Sequence, residues 1–302
     1  MPTTIASLAP VTLGATTYAA ESIGLDPGII SSLGHHTGQE YPTLVAVSGA
    51  GPRVIITMPL RSAIDAIGLG VTRLTAADVY LSKFAALIKA AGSVHTKFAL
   101  AASGAAAAQI TGVSVSQDGL AMATVELVPL SPDGTTAPQV KTDNNALPTL
   151  GSQPLLHTAG PVSINGTVYP GLTAASVELA PTLQVHRGDG APYPVVAART
   201  QAQPSILLTH ADPIAIHGIL GALGANITAN VVVYFRAYDS TTGAVGSSGA
   251  ISMTIASGRV HPEALDARQG EIATTGLRVV GLSTSSTHPI AVATGASVPA
   301  LP

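Results

Sequence analysis

The chain has 302 residues, and only 10% of them are Asp, Glu, Lys or Arg, against roughly 25% in an ordinary soluble domain. Cysteine is absent, which excludes disulfides, thiolate metal sites and cysteine nucleophiles, and a net charge of −3 creates no average field that attracts nucleic acid. The most apolar window, residues 98–113, is Ala-rich and shorter than the roughly 20 residues that a membrane-spanning helix needs.

Apolar residues make up 46% of the chain, but they are mostly Ala, Val, Leu and Ile, with 3% aromatic residues and no Trp. Two interpretations of this low fraction of charged residues remain open. The chain is either a small-residue, Thr-rich β protein or a protein whose surface lies largely against other chains in a permanent assembly. We favour the second. Residues 1–5 carry no basic segment, so no signal peptide is predicted.

The sequence also repeats itself, at a shift of 151 to 154 residues. Tyr18 corresponds to Tyr169, Tyr41-Pro42 corresponds to Tyr193-Pro194, and both copies close on Ala-Leu-Pro. A repeat of this length indicates a duplicated domain, because solenoid repeats run roughly 20–50 residues. We therefore predict one domain over residues 1–148 and a second over residues 149–302, with a linker at about residues 141–160.

In chain order, each copy opens with a predicted hairpin. Residues 162–169 alternate around Asn165-Gly166, a strong signal for a two-residue turn. Residues 11–18 predict the same hairpin, with its turn at Gly14-Ala15. Four further segments are predicted to be extended: residues 176–179, 184–186, 54–57 and 206–209. A turn is predicted at residues 187–190.

One helix is predicted after residues 54–57, and another after residues 206–209. Leu60, Ala63, Ile64 and Ile67 fall at i, i+3, i+4 and i+7, which places them on one helical face. In the second copy the same face is formed by Ala215, Ile216, Ile219, Leu220 and Leu223.

The later elements are read by comparing the copies. Residues 79–87 could form a helix on propensity alone, but their counterpart, residues 231–238, is typical of a strand, so both are predicted as strands. The Ala-rich residues 104–109 are not predicted as a helix, because their counterpart carries Pro262. Each copy is predicted to end in a strand, at residues 120–131 and 272–283.

The predicted fold is therefore mainly β: two tandem β-sandwich or partial-barrel domains, each with one short packed helix. Units of this size leave sheet edges, which must be blunted or paired. Since the chain has few lysines with which to blunt them, we expect the edges to pair with neighbouring chains.

Few residues suggest catalysis. His210-Ala211-Asp212 precedes the second helix, and its counterpart, Met58-Pro59-Leu60, lacks both polar groups, so helix capping is the favoured role. His261-Pro262-Glu263 is similar to the opening of a zinc deaminase signature, but a chain without Cys cannot complete that ligand set.

The best metal candidate is His35-His36, near Glu40. Only His35 recurs, as His186, which favours a role in a loop or an interface over metal binding. We predict no catalytic, cofactor-binding or metal-binding residue, no cofactor, and no enzymatic activity.

In element order and composition, each half resembles the tail tube protein of long-tailed bacteriophages. Both halves have the opening hairpin, a turn leading to Tyr-Pro, a strand ending in Thr before a short helix, a strand with a small-residue loop, and a closing strand. The first copy ends that strand with Ser131-Pro132-Asp133-Gly134, whereas the second copy departs at residues 283–286, where Asp-Gly is missing.

This resemblance implies a structural virion protein that polymerises into the hollow tail tube as stacked rings of six domains around a channel for DNA. With two tail-tube-type domains per chain, three chains would close a pseudo-hexameric ring. The implied partners are copies of the chain itself, the tape measure protein, and the tail terminator and distal tail proteins. Double-stranded DNA would pass without specific binding, and no membrane is involved. We hypothesise that the channel surface draws on Glu126 and Glu178.

Two other classes remain as alternatives. A capsid-decorating or adhesin-like β-rich virion surface protein also fits the low charge, but it would need exposed aromatic or acidic loop residues, which are scarce. An enzyme with a double β domain would need converging polar residues in one copy, and the copies differ mainly by apolar exchanges.

Overall fold

The computed structural model describes residues 9–34, 44–82, 95–151, 155–179, 183–199, 203–211, 227–239, 245–266, 274–283 and 288–300. Within these ranges the protein is mainly β, with antiparallel sheets and one short helix. The predicted fold class is confirmed at this level.

The first half contains twelve strands and the helix in the described ranges. They are β1 (Ala9–Leu13), β2 (Thr16–Ala20), β3 (Ser22–Asp26), β4 (Ile29–Gly34), β5 (Leu44–Ala50), β6 (Arg53–Pro59), α1 (Leu60–Ile67), β7 (Thr72–Leu74), β8 (Ala77–Ser82), β9 (His95–Leu100), β10 (Ala105–Ser116), β11 (Met122–Leu130) and β12 (Gln139–Asn145).

The second half contains ten described strands. They are β13 (Leu156–Ile164), β14 (Thr167–Tyr169), β15 (Leu172–Glu178), β16 (Gln184–Arg187), β17 (Pro194–Ala198), β18 (Ser205–His210), β19 (Ile227–Tyr238), β20 (Ala250–Asp266), β21 (Thr274–Gly281) and β22 (Ile290–Ala296).

Two sheets enclose the core of the first half. One has the order β12-β9-β8-β1-β2, and the other contains β10-β11-β6-β3, with β7 on part of β10. Side chains from both sheets meet in one buried cluster, to which Val11, Val79, Ile56, Ile110 and Val125 belong. Burying these apolar surfaces is the main force that holds the two layers together.

The pairings of the first half recur in the second half. The pairs β1–β2, β1–β8, β8–β9 and β9–β12 correspond to β13–β14, β13–β19, β19–β20 and β20–β22. The pairs β10–β11, β11–β6, β6–β3 and β4–β5 correspond to β20–β21, β21–β18, β18–β15 and β16–β17. The two copies therefore share one order of strand connections.

One difference explains why the second half forms a single sheet. In the first half, a turn at residues 101–104 separates β9 from β10, and Ser103 adopts φ 62° there. In the second half, β20 runs without interruption through the corresponding region and pairs with β19 along two stretches. The long strands β19 and β20 therefore join what are two separate layers in the first half.

Both predicted opening hairpins are confirmed. Val11 pairs with Tyr18, and Val162 pairs with Tyr169. Asn165 and Gly166 have φ of 49° and 83°, as a type I′ turn requires at both central positions. The short turn brings the paired strands into register without a bulge.

The predicted first helix is α1. It begins after Pro59, with the Leu60 N–H donating to the carbonyl oxygen of Ala121, and ends at Gly68, whose N–H donates to the carbonyl oxygen of Ile64. Leu60, Ala63 and Ile67 are buried, as their spacing predicted. The helix predicted around Ala215 and Ile219 lies outside the described residues.

The ambiguous segments are strands where they are described. Residues 79–82 belong to β8, residues 231–238 belong to β19, and the Ala-rich tract forms the start of β10. Residues 83–87 lie outside the described ranges. Pro262 falls inside β20, next to an irregularity between Pro262 and Leu265, a position at which a strand tolerates the missing N–H.

Two predictions about the ends of the copies need correction. Neither copy ends with the strand predicted as its last, because β12 and β22 follow β11 and β21. The segment predicted as a linker, residues 141–160, includes the end of β12 and the start of β13. β12 forms because it pairs with β9, a partner that local sequence does not reveal, and its Asn-rich end holds an irregularity between Thr142 and Asn145 in which Asn144 adopts φ 62°.

Candidate assembly interface

The two halves meet where β10 pairs with β15. Five residue pairs form this antiparallel contact, from Gly112 opposite Glu178 to Ser116 opposite Ala174. The contact makes one sheet from strands of both copies, with the central order β18-β15-β10-β11. An edge of the first copy is thus paired by an edge of the second.

Hydrogen bonds at both ends of this pairing fix its geometry. The Leu179 N–H donates to the carbonyl oxygen of Thr111, and the Gln117 N–H donates to that of Thr173. Hydrogen-bonded and non-hydrogen-bonded pairs alternate in an antiparallel ladder. Ser114 and Ser176 therefore form a non-hydrogen-bonded pair, at which the two backbones approach most closely.

A buried polar cluster stabilises the pairing of β10 with β15 (residues 112–116 with 174–178), which is called the joint below. Glu126 on β11 is fully buried, forms an ion pair with Arg53 on β6 and accepts a hydrogen bond of 2.9 Å from Gln109 Nε2. It also accepts a bond of 2.9 Å from the backbone N–H of Leu183 in the second half. Arg53 Nη2 donates to the carbonyl oxygen of Leu183 at 2.6 Å. Both backbone groups of Leu183 are therefore held by the first half.

Apolar contacts surround this cluster. The buried residues Ala107 and Val128 of the first half pack with Leu183, and partly buried apolar residues from both halves close the group. Those residues are Leu130, Val185 and Ala197. Because Glu126 is fully buried while Arg53 is 26% exposed, their ion pair is screened less than a pair between two exposed side chains.

The recurring Tyr-Pro pair also lies at the joint. The Ser131 N–H donates to the carbonyl oxygen of Pro194, and the Tyr193 N–H donates to that of Gly134. The Ser131–Gly134 turn is shaped by Asp133, whose carboxylate accepts bonds from the backbone of Thr135 and Thr136. These bonds hold the pKa of Asp133 well below its usual value. Tyr193-Pro194 thus contacts the closing turn of the preceding copy.

A loop of the first half approaches the second half closely. The Ala50 N–H donates to the carbonyl oxygen of Pro192. A Cβ atom placed on Gly49 would lie 2.7 Å from that same oxygen, so this contact requires glycine. The joint therefore depends on backbone shape as well as on side chains.

The start of β13 adds a further contact between the halves. The Ala121 N–H donates to the carbonyl oxygen of His157 at 2.7 Å, and Thr158 Oγ1 donates to that of Gly119 at 3.1 Å. Burial lowers the pKa of His157, whose Nε2 lies 3.2 Å from the carbonyl oxygen of Gly249. The imidazole is therefore favoured in its neutral form at this contact.

Two other strands of the shared sheet, β3 and β20, carry edges equivalent to those that meet between β10 and β15. β3, the counterpart of β15, pairs with β6 on one side, and no described strand lies on its other side. Residues 261–266 of β20, the counterpart of the paired end of β10, adjoin β21, and their opposite edge is likewise open within the described ranges. Within the described residues there is thus one open edge of each type, on β3 and on residues 261–266 of β20.

On β10 and β3, the face of this sheet opposite the core carries small and polar side chains, and Ile55 of β6 is 39% exposed on the same face. On β10, Ser114 and Ser116 are exposed while Val113 and Val115 are buried, and on β3 the exposed residues are Ser22, Gly24 and Asp26. This alternation is typical of a strand with one buried face. The same face continues across the joint through the half-buried Ala174 and Ser176 of β15.

Charges on this face are largely paired. Arg278 on β21 contacts Glu263 at 2.6 Å and Glu178 at 3.3 Å, and the hydrogen bond that it donates to Glu263 raises the pKa of the guanidinium. Glu178 keeps 63% of its side chain exposed. Glu126, by contrast, is fully buried, so the hypothesis that it lines an open channel is wrong for this residue.

The residues considered for catalysis do not converge on a site. His210 is buried at the end of β18, and Asp212 lies outside the described residues. His261 is exposed, and Glu263 pairs with Arg278. His35, His36 and Glu40 lie outside the described residues. Among the residues that the structure covers, no group of three His, Cys, Asp or Glu side chains is arranged to hold a metal ion, and no helix has the length and apolar character to cross a membrane.

Comparison with known proteins supplies no family for this chain. A scan against protein-family models finds no match, and a search of curated proteins finds none either.

Proposed function

We propose that this protein is a structural virion protein that polymerises into the hollow tail tube of a long-tailed bacteriophage. In this proposal, three chains close a pseudo-hexameric ring, and stacked rings form the channel through which the genome is delivered. The observation that carries the proposal is the joint between β10 and β15. In it the two kinds of edge pair with each other, and within the described residues one further edge of each kind lacks a partner strand, on β3 and on the last residues of β20.

The repeated strand connections support a division into two tail-tube-type domains, residues 1–148 and 149–302. Each half contains its own opening hairpin and its own separate two-stranded sheet, β4–β5 or β16–β17. Two equivalent units joined head to tail have a rotation between them, and repeating that rotation gives a ring where it closes and an open filament where it does not. Three chains of two units supply six.

Ring closure would also account for the composition. An edge-to-edge ring removes open sheet edges altogether, and stacking covers the upper and lower surfaces. A chain with 10% charged residues then keeps little surface in water. Exposed apolar side chains such as Ile29, Val140 and Val196 would be covered in such a stack.

The small polar face of the shared sheet suits the channel wall. DNA binds basic surfaces through the release of counterions, and a wall that gripped the duplex would slow its transit. Arg278 is neutralised by Glu178 and Glu263, and Asp26 is exposed on the same face. The proposed wall therefore repels the phosphate backbone weakly instead of binding it.

Electron microscopy of the purified protein at increasing concentration tests this function. We expect hollow rings and tubes, because each open edge finds its partner on another copy. Compact knobs or flat sheets would favour a capsid-decorating or adhesin-like role instead. Single particles at every concentration would contradict self-assembly.

A further inference from the structure

We infer that two chains pair with each other as the two halves of one chain do. The end of β20 in one chain pairs with β3 of a second chain, in the register of β10 with β15. This inference rests on the proposed ring and specifies its contact. The partner is a second molecule of this chain, because the edge of β20 is equivalent to the edge of β10 and the edge of β3 is equivalent to the edge of β15, and β10 and β15 pair with each other.

The register follows from pairings on both sides of the joint. Ala107 faces Val128 in the first copy, and Arg259 faces Val280 in the second. The bulges near Ile110 and Pro262 fall at equivalent places. These pairs agree with a single shift of 152 residues between β10 and β20.

The same shift of 152 residues relates β3, the strand with which β20 would pair, to its counterpart β15. Ser22 faces Thr57 in the first copy, and Ala174 faces Thr209 in the second. Applying the shift to the contact of Ser114 with Ser176 places Asp266 of one chain opposite Gly24 of the next. Gly112 opposite Glu178 becomes Ala264 opposite Asp26.

The hydrogen-bonding groups of β3 fit this arrangement. In β15, the bonds at Thr173 and Leu179 mark the residues that pair with β10, and alternation adds Ala175 and Val177. Their equivalents Ile23 and Leu25 therefore direct their N–H groups away from β6, toward the open edge. The equivalent of Leu179 is Pro27, which has no N–H, so the joint between chains has one bond fewer at that end.

The accepting edge also has room for a partner. Ser22, Gly24 and Asp26 are exposed, and a Cβ atom on Gly24 would meet nothing closer than 3.9 Å. The contact is heterologous, with different surfaces on the two partners, so it closes a ring only if the rotation between units fits.

Cysteine cross-linking tests the register, and the chain has no cysteine of its own. The variant G24C/D266C places two thiols at a non-hydrogen-bonded pair, where a Cα separation of about 4.5 Å lies within the range for a disulfide. We expect mild oxidation of assembled protein to give covalent dimers and trimers on a non-reducing gel, with no larger species. The trimer is the limit because a ring of three closes on itself.

Two control variants isolate the register. S22C/D266C is displaced by two residues on the same face, at about 7–8 Å, and should lose most of the cross-linking. S114C/S176C joins residues already paired within the chain, and it should form its disulfide while remaining a single chain on the gel. Its closure also reports that cysteines on this face permit folding.

The outcomes separate the register from the proposed function. Rings that cross-link through S22C/D266C but not through G24C/D266C would overturn the register and leave the ring in place. A mixture of the single variants G24C and D266C repeats the test if the double variant does not assemble, and covalent dimers are expected there. Folded protein that yields neither rings nor intermolecular cross-links would overturn both the inference and the proposed function.

Discussion

Replacing Ile23 with proline is expected to abolish ring and tube assembly while the free chain stays folded. Proline removes an N–H that points to the open edge of β3, and proline is tolerated on edge strands for that reason. The partner strand would then lose a donor at each joint, which costs about 1–3 kcal/mol for the acceptor left unsatisfied. Each joint would weaken by about 5- to 140-fold, and ring closure requires three joints.

The matched control is Ile23→Ala, which removes the same side chain but keeps the N–H. Sedimentation and electron microscopy should show assembly in I23A and its loss in I23P, and circular dichroism should show equal strand content in both. Normal tubes from I23P would mean that β3 is not an edge used in assembly. Equal loss in the two variants would assign the effect to the side chain.

Replacing Glu126 with alanine is expected to lower the free energy of unfolding by about 1–3 kcal/mol, because the buried amide of Gln109 loses an acceptor and Arg53, whose side chain is 26% exposed, loses its ion-pair partner. The backbone N–H of Leu183 would also lose its acceptor. Urea unfolding of the dilute, unassembled chain measures this change. Since Leu183 belongs to the second half, local protection from hydrogen exchange should fall on both sides of the joint.

Glu178→Ala is the control for this prediction. Glu178 also contacts an arginine, but its side chain is 63% exposed, and exposed ion pairs contribute about 0.2–1 kcal/mol. A loss at Glu126 no larger than the loss at Glu178 would contradict the structural role assigned to the buried cluster. The same pair of variants separates stability from channel chemistry, because only Glu178 lies on the open face.

Much of the local structure could be predicted because short-range signals agreed with the packing. Asn165-Gly166 favours a type I′ turn by backbone geometry alone, and the hairpin forms there. The Ala-rich start of β10 was ambiguous by propensity. Pro262 in the other copy settled it, since an interior helix position tolerates proline poorly. The duplication thus provided a second sequence from which the structure of such a segment could be predicted.

Contacts between distant residues could not be predicted in the same way. Alternation along β11 places Glu126 on the face opposite Val125 and Leu127, which suggests exposure to water. Leu183, 57 residues further along the chain, covers that face and buries the carboxylate. Nothing near Glu126 in the sequence reveals this, and the joint of β10 with β15 is equally non-local.

Native mass spectrometry of the smallest assembled unit tests the central claim most directly. If two equivalent units in each chain join head to tail and close, dissociated tubes should release a ring near three times the chain mass of 30.0 kDa, about 90 kDa. A species of one chain at every concentration, or a closed ring whose chain number is not three, would contradict the account.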